Sequence, residues 1–342
     1  MKAKPTILLP TDFSEGAASV FPIAQKLATL FGATVDVLHV IPTVTYWNES
    51  LKTIGLPVDP EADLYPKVAI RAEQELDRLA GEHLDDKVRG KTLVRIDRKP
   101  SAAIADQAKK GAYDLIVIGA KGKDGTGLFR GSTTQQVIRS SMVPVFVIDN
   151  GFQLPSIQHI VLPTDTSLLS LAPLPVVLDL ADTFNASITM LFIAEIPGTL
   201  FEQVPHNDGR IRTDLIRDTI LTQTERMLKM TPAMEWKLTA SSDGQRSRFE
   251  RTDGDTTRQI ELKVRVKQGF SVANEIENFS KDHADLVAIA THGRSGLSHM
   301  IIGSIAERVA LHAQVPVLTY RPDKNLFAEH HAMLDIAESK RL

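Results

Sequence analysis

The chain has 342 residues, enough for about two domains at roughly 150 residues each. Its 39 Lys and Arg against 42 Asp and Glu leave a net charge of −3, which excludes a nucleic-acid binder working through a strongly basic overall surface. A composition 43% hydrophobic and 24% charged excludes a disordered chain, and the lack of cysteine excludes disulfides, a thiolate nucleophile and a Cys-ligated metal. No apolar run reaches the roughly 18 residues of a membrane helix. The apolar stretch near the N-terminus is only Ile7-Leu8-Leu9 before Pro10, too short for the core of a signal peptide. The expectation is a cytoplasmic protein with no membrane span and no nucleic-acid partner.

The sequence repeats itself in order. ILLPTDFS (Ile7 to Ser14) returns as IVLPTDTS (Ile160 to Ser167), DLIVIGAKG (Asp114 to Gly122) as DLVAIATHG (Asp285 to Gly293), and MVPVFVID (Met142 to Asp149) as QVPVLTYR (Gln314 to Arg321). The first pair is offset by 153 residues and the second by 171, so the second unit carries 18 extra residues between those landmarks. They coincide with the polar stretch Ser241 to Gln259, which has the turn chemistry of a surface loop. Its flanks alternate apolar and polar residues, which predicts an extended hairpin over 236–268.

Within the first unit, TILLP reads as a buried strand, followed by a helix from Ala17 to Phe31 that ends at Gly32. A strand over Thr34 to Ile41 comes next, then the Pro- and acid-rich segment Glu49 to Pro66, read as a loop or lid. A helix over Val68 to Leu84, a strand near Leu93 to Ile96 and a helix over Ser101 to Lys110 follow. The strand DLIVIG, a helix over Ser132 to Ser140 and the strand VPVFVI close the unit. Five β-runs separated by helices imply a parallel sheet covered on both faces. The second unit repeats this scheme from Ile160 to Tyr320, and the residues after Pro322 read as an amphipathic tail helix. The predicted architecture is α/β: two doubly wound, five-stranded, Rossmann-like domains over 1–150 and 156–322, with a tail at 323–342.

In an open sheet of this kind ligands bind beyond the carboxyl ends of the strands, where strand order reverses. With an order of 3-2-1-4-5, the reversal lies between strands one and four, and the best-repeated segments follow those two strands. Gly293, Gly296 and Gly303 let backbone amides approach an anion, and Gly303-Ser304 opens a helix whose N–H groups face the same place. His292 and Arg294 can add charge. The same residues are also read as plain turn chemistry, because Ser304-x-x-Glu307 and Ser132-x-x-Gln135 have the form of capping boxes. Asp12 and Asp165 carry two readings as well, a helix cap or an acceptor for a sugar hydroxyl or base amine at the sheet mouth.

Together these segments resemble the universal stress protein family, here as a tandem of two domains spanning about Lys4 to Arg321. The family's nucleotide signature, Gly-x2-Gly-x9-Gly-Ser/Thr after the fourth strand, is met in the second unit by Gly293, nine residues, then Gly303-Ser304, with Ala290 at the place of the first Gly. In the first unit Gly119 and Gly122 supply the first half, and only eight residues precede Gly131-Ser132. The resemblance implies an adenine-nucleotide alpha-hydrolase-like fold and ATP, with or without Mg, as the ligand. It puts Pro163, Thr164 and Asp165 beside the adenosine and backbone near Ile193 at the adenine edge. His292, Gly293, Arg294, Gly303, Ser304 and Ile305 would surround the phosphates. The weaker or empty counterpart in the first unit comprises Thr11, Asp12, Val40, Gly119, Gly122, Gly131 and Ser132. The family also pairs domains through the last strand, which implies pairing within the chain or a homodimer through edge strands.

The function expected is that of an ATP-binding regulatory or stress-response protein. The alternatives are a slow ATP hydrolase and a scaffold for another small anionic or lipid-like ligand. Adenylating relatives carry a Ser-Gly-Gly-x-Asp-Ser loop or a His-x-Gly-His motif, and this sequence has neither. No general base with an orienting partner can be named, so no catalytic residue is assigned. The histidines lack zinc-site spacing, and no metal ligand is assigned.

Overall fold

The alternation of apolar runs and amphipathic segments becomes strands and covering helices in a computed structural model, which describes residues 4–43, 64–120, 131–148, 157–196, 212–240, 247–292, 302–323 and 325–328. The chain falls into two compact units, residues 1–153 and 154–342. The expected lid at 49–66 lies outside the described residues up to residue 63, and the tail beyond residue 328 lies outside them entirely.

In the first unit, β1 (Thr6–Pro10) is followed by α1 (Glu15–Ala18), α2 (Phe21–Phe31) and β2 (Thr34–Pro42). Then come α3 (Tyr65–His83), β3 (Arg89–Asp97), α4 (Pro100–Lys110), β4 (Leu115–Gly119), α5 (Ser132–Ser140) and β5 (Val145–Ile148). All pairs are parallel and the order is β3-β2-β1-β4-β5. The single helix expected over 17–31 is instead two helices. Pro22 in the first turn of α2 has no N–H and is tolerated only there, so the helix restarts at Phe21. It ends as expected at Gly32, whose φ of +61° gives the left-handed C-terminal stop. Leu8 and Leu9 of β1 and Ile116 and Val117 of β4 are fully buried under helices on both faces.

The second unit contains β6 (His159–Pro163), a 3₁₀ turn (Leu169–Leu171), α6 (Leu174–Phe184), β7 (Ser187–Glu195) and α7 (Thr213–Met230). After these come β8 (Lys237–Ala240), β9 (Ser247–Asp253), β10 (Thr256–Gly269), α8 (Val272–His283), β11 (Leu286–Ala290), α9 (Ser304–His312) and β12 (Val317–Tyr320). Five strands repeat the first unit in the order β10-β7-β6-β11-β12, all parallel. Two antiparallel strands, β9 and then β8, extend the sheet beyond β10.

The stretch Ser241 to Gln259 is therefore not a surface loop throughout. Residues 247–253 form β9, and residues 256–259 begin β10. The turn between them is Gly254-Asp255, with Gly254 at φ +58°, the positive φ that suits the tight turns of hairpins. The polar sequence is a strand because only one of its faces meets the core: Phe249 and Ile260 are buried while Arg248, Gln259 and Glu261 face outward. Among the described residues no helix is long and apolar enough to cross a membrane.

Candidate functional site

Both units end their first strand in the same shaped loop. Thr11 donates its N–H to the Leu38 carbonyl (2.8 Å), and Thr164 does the same to Leu191 (2.9 Å), so each loop is bound to the neighbouring strand. The Asp12 Oδ1 accepts from the Ser14 amide (3.1 Å) and hydroxyl (2.5 Å). Asp165 repeats this on the Ser167 amide (3.0 Å) and hydroxyl (2.5 Å). Ser14 in turn caps α1, its Oγ accepting from Ala17 N–H, and Ser167 Oγ accepts from Ser170 N–H, each at 3.2 Å. Asp12 is thus not the helix cap but orients Ser14, which is, and Asp165 orients Ser167 in the same way.

The residue after each aspartate is left-handed although it is not glycine, Phe13 at φ +64° and Thr166 at +70°. Such conformations cost about 1–3 kcal/mol and persist only where surrounding contacts impose them. Here the Thr11 and Thr164 hydroxyls accept from the amides of Phe13 (3.2 Å) and Thr166 (3.1 Å), so the contacts are local and paired. The same strain at the same place in both units marks a loop built to hold one shape.

Next to each loop, across the point where strand order reverses, the helix after the fourth strand begins. Gly131 donates to the Ala120 carbonyl (2.8 Å) and Gly303 to the Thr291 carbonyl (2.7 Å), which ties each helix start to its strand end. The N-cap residues are Gly131 and Gly303 themselves, and among the described residues neither α5 nor α9 has a side-chain cap. Ser132 and Ser304 are first helical residues, so the capping-box reading is replaced. A first turn without a side-chain cap leaves backbone donors and the positive end of the helix dipole directed at the sheet mouth. Ile305 lies in that turn and is 42% exposed.

The remaining assigned residues divide. Val40 and Ile193 lie two residues beyond Leu38 and Leu191, the register partners of Pro10 and Pro163, so both reach the carboxyl-end mouth and are buried there. Gly119 ends β4 and its carbonyl accepts from the Thr134 hydroxyl (2.8 Å). Gly122, Gly293 and Arg294 lie outside the described residues. His292 is 5% exposed; its Nδ1 shares a hydrogen bond with the Thr291 hydroxyl (2.9 Å), and its ring meets Phe327 edge-on at 5.3 Å. It is enclosed by the start of the tail, where Leu326 and Phe327 are buried.

One feature of the first unit was not read from the sequence. His39 on β2 bonds through Nδ1 to the Thr11 carbonyl (2.8 Å), which places the proton on Nδ1, and its ring lies 4.2 Å from that of Phe13. Burial lowers its pKa below 6.5, opposed by the Thr11 carbonyl and the Asp12 charge. Both rings line a cleft of about 620 Å³ closed on its other side by α3, through Val68, Arg71 and Gln74. A histidine inside an apolar strand run was the available signal.

Comparison with known proteins agrees with this duplicated geometry. The family model described as the universal stress protein family matches twice, at residues 5–149 and 156–321. A universal stress protein of Mycolicibacterium smegmatis is 24% identical over 329 residues, covering 92% of this chain and 97% of that protein. One from Methanocaldococcus jannaschii is 28% identical over 181 residues, 52% of this chain and 89% of its own length. Among solved structures, a universal stress protein of Archaeoglobus fulgidus superimposes with a TM-score of 0.55 at 18% identity, covering 92% of this chain and 98% of that one. With two family matches that together span most of its length, and the same strand order and the same loop in each half, the chain belongs to the universal stress protein family as a tandem of two such domains.

Proposed function

We propose that the chain binds an adenine nucleotide, ATP first, mainly in its second unit, and acts as a cytoplasmic regulatory protein rather than a catalyst. The observation that carries this reading is the pairing at the reversal point of the second sheet. There the strained Asp165 loop after β6 stands beside α9, a helix start with glycine at the N-cap and, among the described residues, no side-chain cap. Polyphosphate fits such a helix start, because its oxygens accept the first-turn amides and its charge meets the dipole. In this assignment Gly303, Ser304 and Ile305 hold phosphate oxygens, with Gly293 and Arg294 from the preceding loop. Pro163, Thr164 and Asp165 bound the ribose and base, and backbone at Ile193 meets the adenine edge. Mg²⁺, when it accompanies the phosphates, neutralises part of their charge.

The first unit has the same parts in Thr11, Asp12, Val40, Gly119, Gly131 and Ser132, and a loop with Gly122 that is one residue shorter before its helix. That shortening is our reason to rank its site second. No bond-breaking step is assigned; the output is the free energy of binding, available to shift shape or partner affinity.

The test is to denature the purified chain and identify released small molecules by mass spectrometry, then titrate ATP calorimetrically. About one ATP or ADP per chain, with affinity lost in Asp165→Ala and kept in Asp12→Ala, supports the reading. A different released anion, or no release and no heat of ATP binding, overturns it.

A further inference from the structure

The inserted strands take no part in the site proposed above, yet they are firmly anchored. Their inner face buries Trp236, Phe249, Ile260 and Leu262, each under 5% exposed. On the same face Asp182 of α6 holds Arg251 (2.6 Å) and Arg258 (3.0 Å), and the Arg251 guanidinium lies 4.7 Å above the Trp236 ring. Helices α6 and α7 pack against this side of β10.

The strand registers put a different set of side chains on the outer face. Lys263, Arg265 and Lys267 alternate along β10, and Glu261 sits opposite Arg248 of β9. Glu250 of β9 then sits opposite Lys237 of β8. Helix α8 reaches this side only as far as Lys267, through Glu275 (3.7 Å) and Phe279 (5.5 Å to the ring). The strands therefore present five cations against two carboxylates, and Glu275 of α8 adds a third, which leaves a local excess of two positive charges on a chain whose net charge is −3. Its internal pairs lie at the surface: Lys263–Glu261 is 3.4 Å with side chains 45% and 49% exposed, and Arg248–Glu250 is 2.8 Å with side chains 50% and 26% exposed. Arg265 and Lys237 are exposed, and no ion pair holds either among the described residues.

We propose that this outer face docks an acidic, extended segment of a partner protein. Three arguments select that occupant. Charge complementarity requires an anion, and a surface held rigid from behind loses little freedom on binding. Alternate residues on a strand stand about 6.7 Å apart, the repeat at which an extended polypeptide presents every second side chain, so Asp or Glu at alternate positions meets Lys263, Arg265 and Lys267 in step. Single-stranded nucleic acid calls for aromatic platforms as well as charge, and none of the side chains on this face of β8, β9 and β10 is aromatic.

The test uses the full chain and a fluorescein-labelled 12-residue peptide alternating Glu and Thr, followed by anisotropy. The same peptide with Gln for Glu, a 12-nucleotide oligo-dT and phosphatidylcholine vesicles containing phosphatidylserine serve as comparisons. We expect binding of the Glu peptide that weakens with salt and falls about tenfold in the double variant Lys263→Glu, Arg265→Glu. Arg265→Gln alone, which removes one charge without adding a like one, is expected to lose a smaller share and covers the case in which the double variant misfolds. ATP binding is unaffected in both, which separates failure here from failure of the nucleotide reading. Equal binding of the Gln peptide, or unchanged affinity in folded variants, overturns the proposal. So does tighter binding of the oligonucleotide or the vesicles that the same variants abolish.

Discussion

Replacing Gly303 by valine tests the phosphate assignment with the least risk to the fold. The backbone there has φ −63° and ψ 140°, which any L-residue adopts. Among the described residues a Cβ built on it meets only the Thr291 carbonyl, at 3.4 Å, an ordinary contact. The loss of glycine at an N-cap costs under about 1 kcal/mol, a shift of roughly 2–4 °C in the melting of a unit this size. Binding is another matter, because the side chain enters the space over the first-turn amides. If phosphate loses two charge-assisted hydrogen bonds at about 1.5–3 kcal/mol each, the total is about 3–6 kcal/mol, at least 100-fold in Kd. Calorimetric titration of ATP, with thermal unfolding in parallel, reads both quantities. Gly303→Val is expected to lose at least 100-fold in affinity with nearly unchanged melting, and Gly131→Val to leave the main affinity intact. ATP affinity within threefold of the parent in a folded Gly303→Val would remove phosphate from this helix.

The packing carries three more expected outcomes. Asp182→Ala strips its carboxylate from Arg251 and Arg258; with Asp182 only 13% and Arg251 24% exposed, that pair dominates, and the expected loss is about 1–3 kcal/mol. Hydrogen exchange in β9 and β10 should accelerate, and an unchanged pattern would refute the clamp. Phe327→Ala removes the ring that covers His292, so the tail should detach locally and become sensitive to dilute protease at a concentration that spares the parent; equal digestion of both would count against docking there. Because burial holds the pKa of His39 below 6.5, the folded state favours its neutral form: the stability it contributes is complete above the unfolded pKa and is lost as pH falls through the folded one. Between pH 7.5 and 5 the first unit should therefore lose more stability in the parent than in His39→Gln, and parallel curves would sink the argument.

Much of this molecule is decided locally and is legible along the chain. Repetition of ILLPTDFS as IVLPTDTS, with its companions in the same order, establishes two units, because each repeat is a complete strand–loop–helix signal. The glycine at position 32 acts within a few residues of itself, and the apolar runs of β1, β4 and β11 are legible as buried strands because both faces of each are apolar, although their pairing still needs neighbours. Other features depend on what the rest of the fold brings close. The alternating polar residues of β9 become a strand only because β10 supplies hydrogen bonds and α6 and α7 cover one face, while the sequence alone carries the signature of a loop. Ser304 has the spacing of a cap, yet the bond from Gly303 to the Thr291 carbonyl starts the helix one residue earlier. His292 reads as a charge for phosphate until Phe327, 35 residues away, encloses it. The sequence by itself determines the family, the strand order's raw material and the loops that repeat. Tertiary structure decides which polar groups those loops expose and which they bury, because that depends on long-range neighbours whose approach no local pattern encodes.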